Sequence, residues 1–161
     1  MIASTRPLLA AFALLLLTIS AVYAQGAPSP QTDGKDARTH RLAIQVDQND
    51  PAAMNLALNN AKNVLNYYRD KGERVDVEIV AYGGGLNMLR ADTAPVKERI
   101  AHMASAEATS RIVYSACNNT LKGMEKREGH PITIIPQARI VPSGVVRIMQ
   151  LEEQGWSYVR P

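Results

Sequence analysis

A single cysteine, Cys117, is the residue of this chain whose type and surroundings most directly predict chemistry. It follows the apolar run RIVYSA at 111–116, which is typical of a strand, and it precedes a helical pattern that starts at Asn118. A sulfur at the first turn of a helix lies near unpaired backbone N–H groups and the positive end of the helix dipole, and both favour the thiolate. Cys117 is therefore predicted to be a nucleophile.

Two other roles for Cys117 stay open at the level of sequence. Free cysteine is among the most buried residue types, so the side chain can serve simply as a small hydrophobe. Because the chain holds one cysteine, an intramolecular disulfide is excluded, whereas an intermolecular disulfide would make the residue a redox sensor. The three roles differ in the reactivity that they predict for the thiol.

Three polar residues follow the cysteine: Asn118, Asn119 and Thr120. Their side chains can donate hydrogen bonds to a sulfur anion or to a small ligand, and we predict them to be binding residues. Because asparagine is also a preferred helix N-cap, at least one of them is expected to do no more than cap the helix. Arg147, in a later helical segment, is expected to point either into the same crevice or into water.

A triple glycine, Gly83, Gly84 and Gly85, follows the second predicted strand and is the second candidate binding segment. Backbone donors in glycine-rich loops can cradle anions. The segment lacks the GxxxxGK[ST] pattern, however, and it does not follow the first strand, where dinucleotide-binding folds place their glycines. We expect the loop instead to approach another backbone closely and to open room beside Cys117.

Several classes of function lack their usual signals. The histidines His40, His102 and His130 show no ligand spacing, so we predict no metal site, and no GxSxG motif supports a hydrolase. The formal charge of +3 arises from interspersed residues without a run of Lys or Arg, which argues against nucleic acid and membrane surfaces as partners. No cofactor is expected.

The first 24 residues read as a secretory signal peptide. The apolar run from Leu8 to Ile19 is shorter than the roughly 20 residues of a transmembrane span, and it is followed by Val22-Tyr23-Ala24, a small-x-small cleavage pattern. Cleavage after Ala24 predicts a periplasmic or secreted protein, with an uncleaved anchor as the alternative. Residues 25–39 predict a flexible linker, and residues 40–161 one domain.

Within that domain, strand patterns alternate with helical patterns. The first helix starts at the Asp50-Pro51 cap and stops before Gly72, and Val75, Val77 and Ile79 alternate with polar residues in a strand that has one wetter face. Further helices are predicted from Thr93-Ala94-Pro95, from the residues after Cys117, and from a cap at Ser143. Strands are predicted at 41–47, 75–82, 111–116, 132–135 and 157–160. The apolar sides of the first and last helices hold Met54, Leu56, Leu58, Ala61, Val64, Leu65 and Tyr68, and Val146, Met149 and Leu151.

Strands that alternate with helices predict a flavodoxin-like α/β fold, a three-layer sandwich around a mainly parallel five-stranded sheet. Binding crevices in such sheets lie beyond the carboxyl ends of the strands, where the strand order reverses. We therefore expect the loops after the first three strands to converge. These loops contain residues 47–49, 83–85 and 117–119.

Three segments resemble the DsrE/DsrF-like family, which includes YchN-like proteins: RIVYSAC followed by NNTLKGMEK, the loop VAYGGGLNML, and the tail VPSGVVRIMQLEEQGWSYVRP. The resemblance covers residues 40–161. It implies one α/β domain with a mainly parallel five-stranded sheet that assembles into trimers or hexamers. In the sulfur-relay branch of that family a persulfide is carried on a cysteine at the end of the third strand, where Cys117 falls.

The resemblance thus implies a periplasmic sulfur carrier or sulfurtransferase whose partners are sulfur donors and acceptor thiols, either proteins or small molecules. The alternative is a non-catalytic, oligomeric protein of the same fold that binds a small ligand in the crevice. For either function a subunit contact is expected among the apolar or aromatic residues left over from the predicted faces: Tyr67, Met88, Leu89 and Trp156.

Overall fold

A computed structural model describes residues 39–105 and 111–161 of the chain. The predicted signal peptide and residues 25–38 of the predicted linker lie outside the described residues. The strands are β1 (His40–Val46), β2 (Val75–Ala81), β3 (Arg111–Cys117), β4 (Ala138–Val141) and β5 (Ser157–Val159). The helices are α1 (Pro51–Asp70), α2 (Lys97–Ser105), α3 (Asn118–Glu128) and α4 (Gly144–Glu153), with a 3₁₀ helix at Gly83–Leu89.

All five strands form one parallel sheet in the order β4-β3-β2-β1-β5. The steps from β1 to β4 therefore move along the sheet in one direction, and the step from β4 to β5 returns across the whole sheet. Because crossovers between parallel strands are right-handed, a reversal of direction moves the connecting helix to the opposite face. The predicted three-layer α/β sandwich is confirmed.

The two faces of the sheet differ in what covers them. The larger core joins alternate residues of β1, β2 and β3 to the buried sides of α1, α2, α3 and the 3₁₀ helix. Among the described residues, α4 is the helix that covers the opposite face, and it crosses β3, β2 and β1 on its way to β5. Ile148 and Leu151 of α4 pack there on Ala43 and Val80.

The prediction that residues 132–135 form the fourth strand is wrong. This segment is a loop whose Ile132 and Ile135 are buried in the larger core, and Ile134 makes only an isolated antiparallel bridge to Arg90. A short apolar run signals burial, and it does not distinguish a strand from a loop held against the core. The true strand, β4, lies at the sheet edge, where alternation of buried and exposed residues is weak.

Helix α1 begins as expected, because Asp50 accepts a hydrogen bond from the N–H of Ala52 at 2.9 Å and Pro51 occupies the first turn. Leu56, however, does not belong to the buried face and is 46% exposed. Two residues along a helix turn the side chain through more than half a circle, so Met54 and Leu56 cannot share one face. The second helix also begins later than predicted, at Lys97.

For two further sets of apolar residues, the sequence pattern predicts the wrong environment. In α4, Val146 and Met149 are 49% and 53% exposed, because Ile148 and Leu151 form the side that faces the sheet. Conversely, Met88 and Leu89, expected at a subunit contact, are fully buried where the 3₁₀ helix packs into the larger core.

The loop after β2 is held against the end of β1. A Cβ atom at Gly85 would overlap the carbonyl oxygen of Val46, and one at Gly84 would lie 2.8 Å from the backbone nitrogen of Asn49. The expected close approach of this loop to another backbone is therefore present. Glycine is required because no side chain fits between the two backbones.

We predict that Gly85→Ala lowers the free energy of unfolding by about 3 kcal/mol, because the added methyl forces apart two buried backbones. Gly123→Ala is the matched control, since a Cβ atom there meets only Arg127 Nη1 at 3.6 Å and alanine favours the helix by about 0.5–1 kcal/mol. Urea denaturation measures both changes. Equal stability of Gly85→Ala and wild type would contradict the packing described.

Candidate functional site

Cys117 lies where the winding of the sheet reverses. Strands β3 and β4 are neighbours, and Cys117 at the end of β3 is in register with Val141 at the end of β4. From β3 the chain turns into α3 on one face, and from β4 it turns into α4 on the other. Such a point leaves a crevice beyond the strand ends, which is where α/β proteins bind ligands.

Two helices begin at these strand ends. Helix α3 starts directly after Cys117, which occupies its N-cap position, and α4 starts at Gly144, three residues beyond Val141. The predicted asparagine cap is therefore wrong, because the cysteine itself is the capping residue and Asn118 and Asn119 are the first two residues of α3. Helix N-termini carry partial positive charge, so two of them at one thiol favour negative charge on sulfur.

The environment of the Cys117 thiol favours its ionisation. Burial is the largest single influence and opposes the charged form, since the residue is only 4% exposed. Against it act the hydroxyl and N–H groups of Thr120 and the N–H groups of Gly144 and Asn119. These donors prevail, and the pKa of Cys117 lies below its ordinary value.

Thr120 connects the glycine loop to the cysteine. Its Oγ1 accepts a hydrogen bond from the N–H of Gly83 at 2.9 Å. A hydroxyl has one proton to donate and two lone pairs, so accepting from Gly83 leaves the proton free for the sulfur of Cys117. Of the three glycines, Gly83 thus acts on the site through Thr120, whereas Gly84 and Gly85 hold the loop against β1.

The start of α4 is also placed by a close contact. A Cβ atom at Gly144 would lie 2.8 Å from Cβ of Tyr82, the residue that follows β2. The absence of a side chain at Gly144 lets the first turn of α4 come down onto the strand ends. Ser143 caps this turn by accepting from the N–H of Val146 at 3.5 Å. Gly144 was missed from the sequence, because the loop after β4 could not be placed while β4 itself was misassigned.

A buried carboxylate lies on the same face of the sheet as Cys117. Glu78, on the central strand β2, is 2% exposed, so the prediction of a wetter face for this strand is wrong. Its Oε1 accepts from the hydroxyl of Ser115 at 2.6 Å, and its two oxygens accept from Nη2 of Arg139 at 2.9 Å each. Arg139 also donates from Nε to Ser115 Oγ at 3.1 Å.

Arg147 of α4 completes this group. Its Nε and Nη2 donate to Oε1 and Oε2 of Glu78, both at 2.7 Å, in a forked pair. Arg147 is expected to point into the crevice or into water, whereas in the structure its guanidinium points toward the sheet and pairs with Glu78. Burial is the largest influence on Glu78 and opposes its ionisation, but the hydrogen bonds from Arg147, Ser115 and Arg139 prevail and lower its pKa. We call Glu78, Ser115, Arg139 and Arg147 the Glu78 cluster.

Within residues 39–105 and 111–161, no three His, Cys, Asp or Glu side chains are grouped so that they could hold a metal ion. In the same part of the chain no helix is both long and apolar enough to span a membrane.

The chain is similar to a solved structure, that of MTH1491, a protein of unknown function from Methanobacterium thermoautotrophicum. The TM-score is 0.62 and the sequence identity 27%, and the match covers 76% of this chain and 99% of that chain. No family model and no curated protein matches the chain. The similarity supports the α/β fold, and membership of the DsrE/DsrF-like family stays a prediction.

We predict that Thr120→Val raises the pKa of Cys117 by about one unit, because it removes the hydroxyl that favours the thiolate. Alkylation by iodoacetamide, followed over a pH series, should then reach half its maximal rate at higher pH. Thr120→Ser keeps the hydroxyl and should behave like wild type. If Thr120→Val and wild type share one midpoint, the hydroxyl does not act on the sulfur.

Proposed function

We propose that this protein is a sulfur carrier or sulfurtransferase that holds a persulfide on Cys117. One observation supports this most directly: donors from the first turns of α3 and α4 converge on the thiol and lower its pKa. Thiol–disulfide and sulfur exchange need a thiolate as the attacking group. A cysteine that served only as a small hydrophobe would gain nothing from such donors.

The proposed loading step is a nucleophilic displacement. The Cys117 thiolate attacks the terminal sulfur of a donor persulfide, R–S–SH, as the donor's S–S bond breaks. The donor leaves as the thiolate R–S⁻, and Cys117 carries –S–SH with the proton retained on the terminal sulfur. No electrons enter or leave, so the step needs neither cofactor nor metal.

Unloading is the same reaction in the other direction. An acceptor thiolate attacks the terminal sulfur of the Cys117 persulfide, and the Cys117 thiolate leaves. A thiol of low pKa is a good leaving group, so the donors that favour the thiolate before loading also favour release. The partners are thus a sulfur donor and an acceptor thiol, each either a small molecule or a protein.

The burial of Cys117 favours the alternative function, a non-catalytic oligomeric protein that binds a small ligand in the crevice. A thiol that is 4% exposed admits a sulfur donor only if the crevice opens. In this alternative the sulfur merely lines the site, and Cys117→Ala leaves ligand binding intact.

We expect the reduced wild-type protein, exposed briefly to a polysulfide, to gain the mass of one sulfur atom, because the thiolate attacks the sulfane sulfur. Intact-mass spectrometry measures the gain. The added sulfur should be removed by reductant, be passed to a second thiol, and be missing from Cys117→Ser. A thiol that stays unmodified in the folded protein, yet reacts after denaturation, would exclude the carrier function.

We also propose that the protein is exported to the periplasm or secreted, on the strength of the N-terminal pattern that ends at Ala24. The intact mass of the same purified sample tests this, since cleavage leaves a chain that begins at Gln25. A chain that retains residues 1–24 but is recovered outside the cytoplasm would indicate an uncleaved anchor, and a chain confined to the cytoplasm would contradict export.

Assembly into a homo-oligomer, a trimer or hexamer, is proposed as well. The outer side of α4 exposes Val145, Val146 and Met149, and the neighbouring edge strand β4 exposes Ile140 at 55%. An apolar patch beside an edge strand is a surface that proteins usually cover. A second copy of the chain offers a surface of the same chemistry, as symmetric interfaces require.

Met149→Glu should reduce the assembly to a smaller species, because it buries a charge in the proposed contact. Leu56→Glu is the matched control, since Leu56 is an equally exposed apolar residue on α1 and should leave the assembly unchanged. Light scattering after gel filtration measures the mass of each. A monomeric wild type, or an unchanged Met149→Glu, would overturn this contact.

A further inference from the structure

Helix α4 has two contacts with the sheet that involve charge or sulfur, and they lie about one turn apart. Its first residue, Gly144, follows Val141, the residue of β4 in register with Cys117, by three positions, and its N–H is one of the groups that lower the pKa of the thiol. About one turn later the Arg147 guanidinium forms a forked pair with Glu78. Both contacts fall on the same face of the sheet, because Cys117 and Ser115 are two residues apart in β3 and Ser115 belongs to the Glu78 cluster. The position of the first contact is therefore coupled to the second.

The hydrogen bonds between Arg147 and Glu78 restrict the position of the Arg147 side chain. Two parallel N–H···O bonds, both at 2.7 Å, fix direction as well as distance. Glu78 sits on the central strand and is itself held by Ser115 and Arg139, so it is a rigid anchor. The hydrophobic contacts of α4, by contrast, are few, since Ile148 and Leu151 are its buried large side chains in the smaller core.

We propose that Arg147 and Glu78 are positioning residues for Cys117. Their forked ion pair holds the first turn of α4 in the position from which the N–H of Gly144 points at the sulfur. Neither residue takes part in bond making. The inference deepens the proposed sulfur-carrier function and rests on it for its biological meaning, but it concerns the reactivity of the thiol and can be measured separately.

Arg139 provides a matched control. It also donates to both oxygens of Glu78, at 2.9 Å, and its loss also removes one positive charge. It belongs to β4, however, and so does not hold α4. Arg147→Met and Arg139→Met therefore change the charge of the cluster equally, and only the first releases the helix.

The experiment follows alkylation of Cys117 by iodoacetamide over a pH series from about 5 to about 10. The midpoint of the rate profile reports the pKa of the thiol, and the plateau at high pH reports its accessibility. Charged groups on this face include Glu78, Arg139 and Arg147, the pair of Asp76 and Arg111 at the other ends of β2 and β3, and the pair of Asp47 and Arg160. Tyr82 beside Gly144 has a pKa raised mainly by burial and also by the charge of Asp47.

For Arg147→Met we expect the midpoint to rise by about one unit, so that the rate below the midpoint falls about tenfold. For Arg139→Met we expect less than a twofold change. Arg147→Lys keeps the charge and loses the fork, so its midpoint should lie between those of wild type and Arg147→Met. If Arg147→Met fails to fold, the shift in Arg147→Lys decides the question.

Equal shifts in Arg147→Met and Arg139→Met would overturn the proposal, because the cluster would then act through its charge alone. An unchanged midpoint in both Arg147 variants would overturn it as well. Failure of the proposed function gives a different result: the wild type takes up no sulfur from polysulfide, while the midpoint of Arg147→Met still shifts.

Discussion

The buried carboxylate of Glu78 constrains how the edge strand β4 and the helix α4 pack on the sheet. A charge on the central strand of a sheet, 2% exposed, is tolerated only when it is fully paired, and removing one partner of such a pair typically costs about 3–5 kcal/mol. Its charged partners, Arg139 and Arg147, come from the edge strand β4 and from α4. The requirement to pair Glu78 therefore constrains where the last helix lies on the sheet.

The topology explains why that helix reaches the cysteine. Strands β1 to β4 are added in one direction, and the chain then returns across the sheet to place β5 beside β1. The reversal lies between β3 and β4, so α3 and α4 begin at neighbouring strand ends on opposite faces. Cys117 at the end of β3 thus meets the first turn of its own helix and that of α4, and both favour the charged sulfur.

Three close contacts bring the first turns of α3 and α4 to Cys117. Gly85 lets the loop after β2 lie on the end of β1, Gly83 engages the hydroxyl of Thr120, and Gly144 lets α4 approach Tyr82. Each depends on the lack of a side chain or on one hydroxyl. The proposed chemistry of Cys117 is consequently a property of the packed loops after β2, β3 and β4 together, and the isolated segment around the cysteine would not have it.

Three features could be predicted from the amino-acid sequence: the alternation of strands and helices, the start of α1 at Asp50-Pro51, and the place of Cys117 between a strand and a helix. These features are local, since they follow from hydrophobic period and capping chemistry within a few residues. Three others follow from tertiary packing: residues 132–135 form a loop, Glu78 is buried, and Gly144 lies against Tyr82. Each of these depends on the strand order and on the return of α4 across the sheet. A local sequence pattern does not indicate which distant residue will cover an acidic side chain.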